Sequence, residues 1–206
     1  MLLPAAALVA DPPDQWEEAF FRALNDLPHN MEWFFWALQQ MGSALVLPFA
    51  ALILWRITRR WQPPVTILAT GFLLGWLAAK GIKAIVGRGR PEAIVEDLFV
   101  GYDIPVGDVG FPSGHAVLAF TLAIAFVPYL ARRGRIVAFG LAIMVALTRV
   151  YEGAHLPLDV IGGAGYGICI GTLVTALSAP RQLIRQIPRD RRPGWEQLDT
   201  PPEWRR

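Results

Sequence analysis

Apolar runs long enough to cross a membrane recur along this chain, at about residues 33–55, 64–85, 113–130, 136–149 and 157–177. A helix needs about 20 largely apolar residues to traverse a hydrocarbon layer about 30 Å thick. Inside lipid each backbone N–H and C=O must be satisfied by the protein itself, and a continuous apolar run does so as a helix. The expected fold is all-α: a polytopic transmembrane helix bundle of about five spans, or six if a further span lies near the start. Of the 206 residues, 54% are hydrophobic and 17% charged, which excludes an ordinary soluble domain. No stretch of alternating polarity predicts strands.

Three parts are expected. Residues 1–32 form an N-terminal tail and an amphipathic interfacial helix, 33–180 the membrane-embedded domain, and 181–206 a basic, partly disordered tail. Residues 1–10 are apolar but lack the basic flank of a signal peptide, so they read as a tail. Trp16, Phe20, Ala23 and Leu24 recur at helical spacing, suiting a helix that lies on the membrane or packs over the bundle. The lone Cys169 has no internal disulfide partner and reads as a packed, inert thiol. Gly163, Gly167 and Gly171 form a small-residue face that allows close helix contact within the bundle. A homodimer through that face is the alternative, and nothing else in the chain indicates one.

Charge sorts the ends of the spans. Arg56, Arg59 and Arg60 follow the first, Arg132, Arg133 and Arg135 follow the third, and the tail carries arginines from Arg181 to Arg206. The other side holds Arg22 and Lys80, apart from Lys83, Arg88, Arg90 and Arg149. The positive-inside tendency puts the C-terminus in the cytoplasm and the N-terminus outside. The net charge of +2 includes no run that reads as a nucleic-acid patch.

Three short stretches at the edges of the runs carry the chemistry: Lys83 with Arg90-Pro91, then Pro112-Ser113-Gly114-His115, then Arg149 with His155 and Asp159. On the predicted topology all three share the outer face. Two histidines, a carboxylate and three permanent cations supply what metal-free phosphoryl transfer requires: a nucleophile, an acid, an orienting group and a charge clamp. Spans three and five both start at that face, so their N-terminal amides can receive an anion. Ser113 suits an N-cap, and Gly114 allows close approach to a phosphate. His155 and Asp159 are four apart across Pro157, close enough on a helical turn for the carboxylate to fix the imidazole tautomer. The plainer alternative is an aspartate that only satisfies the helix end beside a surface histidine. The cations have their own plain reading, snorkelling or lipid-headgroup contact, which fits Lys80 and extends to Arg88. His29 lacks such partners and reads as structural.

In this order and spacing the motifs resemble those of the type-2 phosphatidic acid phosphatase family, across residues 83–159. The resemblance implies a membrane lipid phosphatase without a cofactor. His155 would attack phosphorus to give a phosphohistidine, and His115 would protonate the leaving oxygen. Lys83, Arg90, Ser113, Gly114 and Arg149 would bind phosphate, with Lys80 in reserve. Thr148 stands where the family usually has serine and keeps a hydroxyl. Glu152 lies within reach of Arg149 and either orients it or weakens its grip on phosphate. No metal is implied, because the histidines lack a second carboxylate cluster or cysteine partners at ligand spacing. Glu92, Glu96, Asp97, Asp103 and Asp108 read as a solvated loop or lid.

The expected substrate is a lipid phosphate or diphosphate at the outer face of the cell membrane, with membrane lipids the other partner. An outward site in a compact chain most resembles bacterial undecaprenyl-diphosphate phosphatases. A lipid phosphotransferase using the same phosphohistidine is the rival within enzymes. A catalytically silent protein that binds or moves anionic lipids is the rival of another class, but binding alone needs only the cations.

Overall fold

The computed structural model describes residues 13–59, 62–102, 104 and 109–178. The expectations for the two termini, for Arg60 and for Asp103 and Asp108 lie outside these residues. Among the described residues seven α-helices follow in order: α1 Gln15–Asn25, α2 Glu32–Gln39, α3 Leu47–Thr58, α4 Gln62–Val86, α5 Gly114–Phe126, α6 Arg132–Tyr151 and α7 Pro157–Ser178. Among the described residues there is no strand, and an isolated antiparallel bridge joins Gly89 to Val109.

The centre of the bundle is α5. Its apolar side chains point in all directions, as suits a helix covered on every side. Ala116 to Ala123 are buried without a break, against α4, α6 and α7. The closest approach is to α7, along the glycine stripe. A Cβ on Gly163 would stand 2.6 Å from the Ser113 carbonyl oxygen, and one on Gly167 2.4 Å from that of Val117. The stripe is therefore consumed by packing inside the bundle. Cys169 sits on the exposed side of the same helix, not packed as expected.

Among the described residues three straight helical stretches are long and apolar enough to cross a membrane: Leu68–Val86, Arg132–Tyr151 and Pro157–Leu177. The third expected span is shorter, Gly114–Tyr129, roughly 24 Å at 1.5 Å per residue. The first is not one straight helix: His29–Gly42 and Ala44–Ile57 meet at 68°. The polar residues in that run explain the break. Gln39 is buried against Arg149. Ser43 Oγ donates to the Gln40 carbonyl at 2.8 Å and accepts from Leu45 N at 3.2 Å, ending one segment and starting the next. A Cβ on Gly42 would meet Val145 Cγ1 at 2.6 Å and the His115 carbonyl at 2.9 Å. Only glycine lets the break press this closely against α5 and α6.

The amphipathic helix α1 packs over the bundle, but its inward face is not the one the periodicity suggested. Glu17, Phe21 and Asn25 point inward and are buried, while Trp16 and Phe20 stay exposed. Asn25 explains the choice. Its Nδ2 donates to the Phe99 and Tyr151 carbonyls at 2.9 and 2.8 Å, and its Oδ1 accepts from Phe99 N at 2.9 Å.

Candidate active site

The three motifs converge because short backbone contacts tie their loops together. α4 ends at Val86, and Gly87, at φ +63°, turns the chain into the first motif loop. Glycine tolerates that left-handed conformation without strain. The Gly89–Val109 bridge then lays this loop beside the one preceding α5. Gly110 N donates to the Arg88 carbonyl at 2.7 Å, and Lys83 Nζ donates to the Val109 carbonyl. A Cβ on Gly110 would fall 2.8 Å from the Gly89 carbonyl and 2.9 Å from Asp159 Oδ2, so this crossing admits no larger residue. Ser113 N donates to the Asp159 carbonyl at 3.0 Å, joining the second motif to the third.

The third motif turns on Gly153, at φ +68°. Ala154 N and His155 N both donate to the Arg149 carbonyl at 3.1 Å, which folds His155 back over the end of α6. Arg90 Nη1 donates to the Ala154 carbonyl at 3.0 Å and secures the turn from the side of the first motif. Arg90, Arg149, His155, Asp159 and Ser113 are all buried. His115, on the first turn of α5, is half-buried and lines a cavity of about 320 Å³ with Gly75, Trp76 and Ala79 of α4. It lies near Arg149, His155 and Arg90.

Asp159 does both things the sequence left open. Its Oδ2 accepts from Leu156 N at 2.9 Å, satisfying the start of α7. The same oxygen stands 3.6 Å from His155 Nδ1, and Oδ1 accepts from Arg88 Nη1 at 3.2 Å. Burial, and then the charges of Arg149, Arg90 and Lys83, push the His155 pKa well below 6.5. The imidazole is thus held neutral, the form in which it is a nucleophile.

Ser113 Oγ, Arg149 Nε and His155 Nδ1 are buried polar atoms without a hydrogen-bond partner among the described residues. Ser113 occupies the N-cap of α5 but makes no side-chain cap bond there. A tetrahedral oxyanion is the ligand whose charge and acceptors match the serine hydroxyl, guanidinium and helix N-terminus. The N-terminus of α7 is already engaged, unlike the expectation from its dipole. Leu158 N donates to Glu17 Oε1 at 2.9 Å, and Leu156 N is taken by Asp159.

Three residues carry more than the sequence suggested. Arg88 does not snorkel: it is 2% exposed and pairs with Glu17 Oε2 at 2.7 Å as well as with Asp159. Glu17, from the surface helix, is buried in the same cluster. Gln39, at the break of the bent pair, accepts from Arg149 Nη1. Glu152 also pairs with Arg149 Nη1, at 3.0 Å, so it orients that guanidinium. Thr148 Oγ1 donates to the Met144 carbonyl at 2.9 Å, within its own helix. Lys80 stays outside the cluster, exposed, with Nζ 4.1 Å from the Trp76 ring centroid. His29 stacks on Phe99 at 3.9 Å. Of the acidic loop, Glu96 and Asp97 meet α1 through their carbonyls, which accept from Arg22. No group of three or more His, Cys, Asp or Glu among the described residues is arranged to hold a metal ion.

Comparison with known proteins gives the same outline. The PAP2 superfamily matches residues 61–182. An undecaprenyl-diphosphatase of Sulfolobus acidocaldarius is 30% identical over 73% of this chain and 73% of its own. The crystal structure of Aquifex aeolicus LpxE superposes with a TM-score of 0.70 at 27% identity, covering 81% of this chain and 99% of that one. A transmembrane PAP2-type phosphatidylglycerolphosphate phosphatase from Bacillus subtilis has the same fold, with a TM-score of 0.68 at 22% identity over 92% of this chain and 95% of its own.

Proposed function

The chain belongs to the PAP2 superfamily as a multi-pass membrane lipid phosphatase, and from that premise we propose that it hydrolyses undecaprenyl diphosphate or a related lipid phosphate through a phosphohistidine on His155. The site lies at the outer membrane face, with the C-terminus in the cytoplasm. The observation that carries the mechanism is the setting of His155: buried beside Arg149, Arg90 and Lys83, kept neutral, with Nδ1 toward Asp159. That orientation leaves Nε2 as the attacking atom.

In the first step Nε2 forms a bond to phosphorus and the P–O bond to the leaving group breaks. With the anionic phosphate bound among the cations, His115 carries a proton and supplies it to the departing oxygen, and Asp159 offsets the positive charge that grows on His155. Lys83, Arg90 and Arg149 neutralise the equatorial oxygens, while Ser113 Oγ and the amides at the start of α5, with Gly114, hold the phosphoryl group in line. In the second step water attacks phosphorus, the P–N bond to His155 Nε2 breaks, His115 takes the proton from water, and inorganic phosphate leaves.

The charge pattern supports the outer face. Arg132 and Arg133 begin α6 while Arg149 lies near its end, roughly 25 Å away at 1.5 Å per residue. The site and the arginine-rich loop therefore stand at opposite ends of one spanning helix, and the positive-inside tendency assigns the loop to the cytoplasm. The relative from Sulfolobus acidocaldarius supports the choice of a polyprenyl diphosphate.

The test is the purified chain in detergent, with excess EDTA, against a panel of lipid monophosphates and diphosphates. Release of inorganic phosphate, fastest from the polyprenyl diphosphate and inhibited by orthovanadate, is the expected result. Activity lost in EDTA and restored by magnesium contradicts the mechanism, and transfer to a lipid hydroxyl without phosphate release makes the protein a phosphotransferase.

A further inference from the structure

One of the buried carboxylates of the site, Glu17, comes from outside the transmembrane helices. We propose that Glu17, on the surface helix α1, is a positioning residue for the His155–Asp159 pair and acts through Arg88. The inference rests on the proposed role of that pair.

Glu17 is 1% exposed, and Arg88 beside it 2%. Burying a carboxylate is costly unless its oxygens are fully used, and here they are. Oε2 accepts from Arg88 Nη2 at 2.7 Å, while Oε1 accepts from Arg88 Nη1 at 3.0 Å and from Leu158 N at 2.9 Å. This two-pronged pairing fixes the plane of the guanidinium. The same Nη1 donates to Asp159 Oδ1 at 3.2 Å. Asp159 Oδ2, the oxygen that faces His155, is on the other side of that carboxylate. Glu17 thus sets where Arg88 points, and Arg88 sets how Asp159 is turned.

Charge gives the arrangement its consequence. With Glu17 in place, Asp159 shares the guanidinium with a second carboxylate and keeps its capacity to stabilise a cationic imidazole. With Glu17 neutral, Arg88 loses one of the carboxylates it pairs with, which draws Asp159 toward the guanidinium and lowers its value to His155.

Anchoring the helix does not require Glu17. Asn25 ties α1 to the backbone of Phe99 and Tyr151 through three hydrogen bonds of 2.8–2.9 Å. Arg22 adds bonds to the Glu96 and Asp97 carbonyls at 2.9 and 3.2 Å, and Phe21 is fully buried. A helix already held at these points has no further need of a buried carboxylate, so the burial of Glu17 is explained by the site.

The experiment is steady-state and single-turnover kinetics of the full chain in detergent, on an aryl phosphate and a short-chain lipid phosphate. Glu17→Gln is expected to lower kcat about 10–100-fold, the range seen when an outer-shell partner is lost. KM should stay within about 3-fold, because phosphate binding is untouched. Phosphohistidine formation should slow by the same factor as kcat. In an Asp159→Asn background the same change should cost less than about 2-fold, since both substitutions disable one unit. Arg88→Lys, which keeps the charge but cannot bridge two carboxylates, should reproduce the kcat loss and decides the matter if Glu17→Gln does not fold.

Normal kcat in Glu17→Gln, a loss confined to KM, or an undiminished loss in the Asp159→Asn background overturns the inference. For Arg88→Lys, normal kcat does the same. A wild-type chain that forms no phosphohistidine overturns the reading of the site, and this inference with it. A normal wild type beside an unaffected Glu17→Gln overturns this inference alone.

Discussion

His155 Nδ1 stands 3.6 Å from Asp159 Oδ2, and that oxygen already accepts the Leu156 N–H at 2.9 Å. The carboxylate is therefore the fixed partner, held by the backbone at the start of α7 and by Arg88 at 3.2 Å. The imidazole is the partner that must close the remaining distance. Such catalytic hydrogen bonds are commonly long before substrate arrives and tighten as charge develops. The relationship separates the roles of the two histidines, because among the described residues it is His155 that has a carboxylate at its back.

That separation is measurable with leaving groups. A nitrophenolate needs little protonation on departure, so it partly bypasses the general acid but never the nucleophile. His115→Ala should lose roughly 10²–10⁴-fold on a lipid phosphate, the usual worth of general acid catalysis. On the aryl ester the loss should be smaller by about 10-fold or more. If His155→Ala turns over the aryl ester while His115→Ala does not, the roles are reversed.

Burial among cations has a consequence for pH. Burial, Arg149, Arg90 and Lys83 all lower the His155 pKa, so less of it is protonated as the pH falls than for an ordinary histidine. The attacking form then persists below pH 6.5, and activity is lost only at lower pH. The pH profile of kcat/KM, corrected for substrate ionisation measured by phosphorus NMR, should place the acid limb due to His155 below the ordinary value of 6.5. A limb at or above 6.5 contradicts the account.

Much of the fold was legible because hydropathy and helix length are tied by the thickness of the bilayer. The glycines at 163, 167 and 171 were equally readable, since a periodic small face has few uses other than close packing. Glu17 was not legible. In sequence it sits on the polar side of a helix whose Trp16 and Phe20 suggest the opposite inward face. Its partner Arg88 is 71 residues away, and no local pattern encodes such a pair. Gln39 did leave a signal, a polar side chain within an apolar run, which blurred the start of that span without revealing the break or the contact with Arg149. The histidine pair and Asp159 were singled out by their order in the chain, which local chemistry alone left ambiguous with helix capping. The structure shows that Asp159 caps the helix and faces His155 at once.

Sidedness can be read by cysteine labelling. Tyr102 is 63% exposed near the site, and Arg133 is exposed at the far end of α6. In a Cys169→Ala background, Tyr102→Cys should react with an impermeant maleimide on intact cells or spheroplasts, and Arg133→Cys should react only after lysis. The reverse pattern puts the site in the cytoplasm and removes the basis for recycling an outward-facing carrier lipid.

The most direct test of the central claim is to trap the covalent intermediate. Wild-type chain mixed with substrate labelled on the transferred phosphoryl group, then quenched within milliseconds in alkaline detergent, should carry label on His155 that is stable to base and lost in acid. Asp159→Asn should form it more slowly, by roughly 10²–10⁴-fold on the precedent of a misoriented triad histidine. His155→Ala should carry none and release no phosphate. Turnover by His155→Ala without label, or label on His115, contradicts the account.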